Sequence, residues 1–343
     1  MSEVAAPNAQ KVRKIARFAW GVLAWNLLVI VWGAFVRASG SGAGCGRHWP
    51  LCNGEVVPTS PGLKTMIEAF HRATSGLALV GVVALLVMAM RGLPKGHRAR
   101  KAAGWATFFV FGEALLGAGL VLFELVAHDA SMKRGLSMML HLCNTFLLIG
   151  ALALTAWWAT LETLEPVAVE PVKKPALLKT ALGFALGGVL VLGASGAIAA
   201  LGDTLFPALS LREGLAQDLS PLSHVFLKLR MLHPVIALGN SVLVLGAAAL
   251  VRALSANPRA HLLSRGLTLM FMTQFAAGIL NVYLLAPIAM QLVHLLLADV
   301  TWILLVLTSW EARAQSAPFI MSKNGPGPSS DVPPSIRIVD PVM

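Results

Sequence analysis

Charge is scarce in this sequence. Only 13% of its 343 residues are Asp, Glu, Lys or Arg, while apolar residues make up 57% and mean hydropathy is +0.74. Soluble domains carry roughly 25% charged residues. A chain this poor in charge cannot clothe its surface for water, so lipid must serve as solvent. Acid is scarcer than base, 16 against 27, which leaves a formal charge of +11. That excess could suggest a nucleic-acid binder, but its placement excludes nucleic acid as a partner, as shown below. Cysteine is nearly absent, with three in all, so a disulfide-dense scaffold is excluded. No span carries a paired Gly/Pro interruption at mid-depth, which ranks a transporter or haem-handling chaperone with broken helices last among the possible functions.

Long apolar runs are abundant. Eight lie at 18–37, 65–90, 103–126, 137–160, 178–201, 225–251, 265–285 and 288–310. Each approaches or exceeds the about 20 residues that cross a bilayer as a helix. A span in lipid must satisfy its own backbone, so helices are expected throughout. The first run is too long, and lacks a small-residue cleavage site, for a removed signal peptide. Basic residues gather in the N-terminal segment (Lys11, Arg13, Lys14, Arg17) and in alternate loops: Arg91, Lys95, Arg98, Arg100 and Lys101; Lys173, Lys174 and Lys179; Arg252, Arg259 and Arg265. The intervening loops hold fewer. The positive-inside rule then predicts an N-in, C-in multi-pass protein of a bacterial-type inner or plasma membrane.

The chain also looks duplicated. EALLGAGLV at 113–121 matches QFAAGILNV at 274–282, His71 matches His233, and His141 matches His294, within the dipeptide His-Leu. The expected fold is all-α, eight transmembrane helices as two repeated four-helix bundles in parallel orientation. The expected segments are a cytoplasmic tail 1–17, an N-terminal half 18–160 with an outer cysteine loop 38–64, and a cytoplasmic linker 161–177. A C-terminal half 178–311 and a disordered Pro/Ser/Gly-rich tail 312–343 follow.

Of nine histidines, four lie inside spans: His71, His141, His233 and His294. Their spans all start on the outer side, which puts the four at one depth, roughly 6–12 Å below the outer ends. One such histidine could merely bond a neighbouring helix. Four, paired across a duplication, point to function. Two imidazoles on facing helices suit the axial positions of haem iron. Tetrahedral zinc needs four close ligands, and at that depth the sole carboxylate is Glu68. Glu68 precedes His71 by one helical turn and shares its face. A carboxylate there could orient a ligand, take a proton or stabilise positive charge; the plainer alternative is an interfacial pair with Arg72. The matching position in the second half is Arg230, so the halves differ chemically. Glu113, Gln274 and Asp299 read as inter-helix hydrogen-bonding residues. Cys45 and Cys52 sit in a glycine-rich outer loop, where either a disulfide or a redox-active thiol pair is chemically allowed. Cys143, inside a span, reads as inert packing.

These motifs resemble a known family. VRASGSGAGCGRHWPLCNGEVVP at 36–58, EAFHR at 68–72 and GILNVYLLAPIAMQLVHLLLADVTW at 278–302 are similar to the haem A synthase family, over about residues 17–310. The resemblance implies oxidation of a methyl group of haem O to a formyl group, giving haem A for terminal oxidases. It implies a haem b cofactor on His233 and His294, substrate haem O on His71 and His141, Glu68 as the essential acid, and a Cys45–Cys52 disulfide. Haem O synthase and cytochrome oxidase assembly factors are the implied partners, beside membrane lipid. Two departures stand out: Arg47-His48 where the family often has Pro-Asp, and His233-Pro234 where it often has His-Arg. The alternative is a dihaem cytochrome b-like electron-transfer protein, which would have no need of Glu68 or the glycine-cysteine loop.

Overall fold

The computed structural model describes residues 9–164 and 170–313. Ten helices follow in order: α1 (Ala9–Ala38), α2 (Leu63–Gly92), α3 (Arg98–Leu122), α4 (Met132–Leu161), α5 (Pro175–Leu205), α6 (Leu211–Leu219), α7 (Val225–Arg230), α8 (Leu232–Leu254), α9 (Pro258–Tyr283) and α10 (Ile288–Glu311). With α7 and α8 taken together as Val225–Leu254, eight are long and apolar enough to cross a membrane. Among the described residues there is no strand; one isolated bridge joins Cys52 and Glu55. The all-helical, eight-span architecture is therefore as expected.

Element ends differ from the expectation in instructive places. Helix α1 begins at Ala9, so most of the expected tail 1–17 is helical. Lys11, Arg13, Lys14 and Arg17 alternate with Val12, Ile15 and Ala16, which are buried. Lys11 Nζ donates to the Arg91 carbonyl at the end of α2, and Gly92 leaves room for Ile15. One face of the charged segment thus packs on α2, and burial of that face carries the helix beyond the apolar run. The span at 225–251 is interrupted at Met231. Pro234 has no N–H to donate to residue 230, and its ring would crowd that carbonyl. Restarting the helix at Leu232 puts Pro234 in a first turn, where the missing donor costs nothing. Helix α6 was not foreseen. Ser210 caps it by accepting from Glu213 N at 3.2 Å, and Glu213 Oε2 accepts from the N–H of Leu209, one residue before the cap, at 2.9 Å, a variant of the capping box. Most of the expected tail 312–343 and the middle of the linker, 165–169, lie outside the described residues.

Burial sorts the spans. Half of the apolar window of α4 is buried and 44% of that of α10, against 17% for α3 and 11% for α9. α4 and α10 are central and pack directly on each other. Phe146 and Trp302 stack with ring centroids 5.4 Å apart. Gly150 exposes its backbone to the Trp302 indole, whose N–H donates to the Phe146 carbonyl. α1, α2 and α3 pack around α4, while α5, α8 and α9 complete the other side. Arg37 ties the two sides together near the histidine end. It donates to Ala200 O at 2.7 Å, to Thr204 Oγ1 at 2.5 Å and to Gln291 Oε1 at 2.8 Å. Outward faces carry Val80, Phe108, Leu115, Phe184, Val242 and Leu269, all exposed, as a lipid-facing surface requires.

Candidate functional site

The four intramembrane histidines lie six to nine residues into their spans, at one end of the bundle. Each pair combines a peripheral helix with a central one: His71 on α2 with His141 on α4, and His233 on α8 with His294 on α10. Every one of the four faces a glycine on the preceding span. A Cβ on Gly33 would stand 2.8 Å from His71 Cε1, one on Gly196 3.1 Å from His233 Cε1, and one on Gly278 2.9 Å from His294 Cε1. At Gly117 it would stand 3.8 Å from His141 Nε2. Bare backbone thus forms a wall against each imidazole. At Gly33, Gly196 and Gly278 the ring approaches the Cα more closely than a side chain permits, while at Gly117 a methyl group would make an ordinary contact.

Polar partners then choose which ring nitrogen is free. Ser195 Oγ donates its single proton to Leu192 O and stands 2.9 Å from His233 Nδ1. With the hydroxyl proton on Leu192 O, the oxygen would accept from Nδ1–H and leave the Nε2 lone pair open. Glu113 Oε2 lies 2.8 Å from His141 Nδ1; an ionised carboxylate only accepts, so here too Nε2 is the available nitrogen. Glu113 is itself held by Asn144 Nδ2 at 2.6 Å and Thr145 Oγ1 at 3.0 Å. It bridges α3 and α4, as read from the sequence, and it also orients His141, which that reading missed. Its repeat counterpart Gln274 places its amide nitrogen 3.2 Å from His294 Nε2. His71 Nδ1 and His294 Nδ1 are buried without a protein partner.

These features suit iron between imidazoles. The His233 and His294 ring centroids are 6.5 Å apart with planes at 87°. Metal–imidazole bonds are about 2 Å, and a ring nitrogen lies about 1 Å from its centroid, so two axial imidazoles on one iron stand roughly 6–6.5 Å apart. Carboxylate or hydroxyl support on the far nitrogen is the usual outer arrangement of a ligating histidine. Among the described residues, no three His, Cys, Asp or Glu side chains gather as a metal-binding group.

The cysteine loop packs against the start of α2. Cys45 and Cys52 form a disulfide and are both buried. Gly44 lies so close to α2 that a Cβ would stand 2.5 Å from Lys64 O, and Thr65 Oγ1 donates to Gly44 O at 2.8 Å. Glu68 is 3% exposed. Its Oε2 accepts from Cys45 N at 2.8 Å, and its Oε1 pairs with Arg72 Nη2 at 2.6 Å. Arg72 Nη1 also donates to the carbonyls of His48 and Leu51. The Arg72 pairing weighed from the sequence is present, but the pair is buried and clamps the disulfide loop, unlike a solvated interfacial pair. Asp299 is fully buried, and neither of its carboxylate oxygens has a protein partner.

The family model of cytochrome oxidase assembly proteins named COX15-CtaA matches residues 16–63 and 62–306. The chain belongs to this family. The COX15-CtaA match spans both histidine pairs, the cysteine loop and Glu68. A Thermus thermophilus protein named protoheme IX farnesyltransferase is 47% identical over 306 residues, covering 89% of this chain. This chain spans about half of that relative's length, 49%. A protein named heme A synthase from Alkalihalophilus pseudofirmus is 42% identical over 97 residues, 28% of this chain and 33% of its own length. One of that name from Exiguobacterium is 34% identical over 112 residues, 33% of this chain and 37% of its own.

Proposed function

We propose that this chain is a haem A synthase, which oxidises a methyl group of haem O to a formyl group. The supporting observation is the set of four imidazoles in two pairs at one end of the bundle, each beside a glycine of the preceding span. In this reading His233 and His294 hold haem b, which when bound supplies one-electron redox capacity. His71 and His141 hold the substrate haem O. Glu113 and Ser195 fix the ring orientation of His141 and His233. Glu68 is the acid of the substrate half. Its carboxylate is pinned by Arg72 and the Cys45 N–H, so it offers negative charge in a fixed place, where positive character develops as the methyl carbon is oxidised. The disulfide ring covers this end of α2 and limits water there.

The two-half organisation belongs to the same proposal, as does the direction of insertion. At the histidine end, Arg37, Arg72, Arg134 and Arg230 are all bound to protein groups. Among the described residues that end holds nine Lys and Arg against sixteen at the opposite end, so in this reading the histidine end faces outward. The Thermus relative is named for farnesyl transfer to protohaem, and this chain matches only half of it. Such a transfer would make the farnesylated haem consumed here, so a haem O synthase is the proposed neighbour, beside oxidase assembly factors. A dihaem electron-transfer protein would use the Glu68–Arg72–Cys45 clamp only to hold the loop. The cofactor assignment is tested by haem content. His233→Ala and His294→Ala should each deplete haem b and abolish the low-spin spectrum of purified protein. Wild-type content and spectrum in both variants would refute it.

A further inference from the structure

At the end of the bundle away from the histidines, a groove of about 420 Å³ opens between α8 and α9, lined by Arg252, Arg265, Thr268, Leu269 and Met272. Its composition is specific. Its surface is mainly apolar, its polar lining residues are Arg252, Arg265 and Thr268, and no carboxylate lines it. Arg252 is fixed across the seam, with Nη1 donating to Ser264 O at 3.3 Å and to Thr268 Oγ1 at 3.1 Å. Neither its other donors nor Arg265 bond a group among the described residues. Two arginines therefore border one groove whose lining residues carry no counter-charge. From there Leu269 and Met272 continue along α9 toward mid-membrane, both exposed. α9 is the barest span, with 11% of its apolar window buried, so acyl chains border the groove on its open side. The cationic mouth lies within the last turn of α8 and the second turn of α9, which is headgroup depth for helices that span a bilayer.

We propose that this groove is a binding site for an anionic glycerophospholipid. The phosphate lies between Arg252 and Arg265, where planar guanidinium groups match phosphate oxygens. Thr268 offers a further polar contact, and one acyl chain follows Leu269 and Met272. Basic pockets between transmembrane helices recognise acidic headgroups in this way. A soluble phosphate would meet the same cations but gain nothing from the apolar floor, so the continuity of charge with a lipid-facing wall selects the lipid. The site belongs to the second half alone. The repeat offset that pairs Gly117 with Gly278 sets Gly104 against Arg265, and Gly104 has no side chain to contribute.

The test uses full-length protein in nanodiscs of mixed phosphatidylglycerol and phosphatidylcholine, read by native mass spectrometry after release into detergent. Wild type should retain phosphatidylglycerol in preference to phosphatidylcholine. Arg265→Gln removes one phosphate contact and should weaken retention about fivefold. Arg265 is exposed and unbonded, so folding is not at stake. Arg252→Gln should act in the same direction, while Lys95→Gln, a basic loop residue elsewhere on this end, should change nothing. Millimolar inorganic phosphate should not displace the lipid. Equal retention of both lipids, wild-type retention by Arg265→Gln, or displacement by inorganic phosphate would overturn the proposal.

Discussion

Gly278→Ala adds one methyl group, and its effect on haem b follows from the distances. The new Cβ would stand 2.9 Å from His294 Cε1, whereas carbon atoms rest at about 3.5–4.0 Å. The ring, or the helix that bears it, must retreat by roughly 0.6–1 Å. A metal–nitrogen bond tolerates only about 0.2 Å, so the ligand leaves its axial position unless α9 and α10 separate. Overpacking of this kind costs about 1–3 kcal/mol, equivalent to about a 5- to 150-fold loss of haem affinity. Gly117→Ala, in the half proposed for substrate haem, controls for adding a methyl group to a span. It is the repeat counterpart in sequence, but its Cβ would sit 3.8 Å from His141 Nε2, an ordinary contact. Haem b per protein, measured as pyridine haemochrome with the visible spectrum of the purified variants, should fall for Gly278→Ala and hold for Gly117→Ala. Full haem in Gly278→Ala, or equal loss in both, would refute the idea that glycine walls seat the imidazoles.

Glu113→Gln should loosen the substrate half. The His141 Nδ1–H would lose its carboxylate acceptor, and removing such outer support lowers ligand affinity by about 10- to 100-fold, measurable as haem O binding while haem b content stays unchanged. Replacing Cys45 and Cys52 by Ser removes a cross-link between residues seven apart. It should cost about 2.5 kcal/mol by chain entropy and open the 45–52 loop to protease; an unchanged digestion pattern would show that the Glu68–Arg72 clamp alone holds the loop.

Much of the architecture was legible because lipid imposes one strong rule, a run of apolar residues per span. The four histidines were legible for the same reason, since polar groups stand out against apolar helices. Their orienting partners were not. Ser195 looks like any small residue in a span, and Gly33 and Gly196 acquire meaning only when placed against His71 and His233. The repeat offset does relate those two glycines, so a signal existed. Glu68 shows the limit of spacing arguments: residues 68 and 71 share a helix face, yet the carboxylate is claimed by Arg72, one turn further along α2, and by Cys45 N, which the loop brings from outside the helix. The break at Met231 follows from Pro234, whose kink was foreseeable but whose resolution into two helices depended on the short α7 packing Phe226 and Leu227 inward.

The central claim is conversion of haem O to haem A with Glu68 in the chemistry. Its most direct test is extraction and chromatography of haems from cells that supply haem O and express either wild type or Glu68→Gln. The substitution keeps size and an acceptor for the Cys45 N–H, so the C-terminal haem b should persist in both proteins. Wild type should accumulate haem A, and Glu68→Gln should leave haem O or a hydroxylated intermediate in its place. Absence of haem A from the wild-type cells would contradict the assigned activity, and near-normal haem A from Glu68→Gln would reduce Glu68 to a clamp on the disulfide loop.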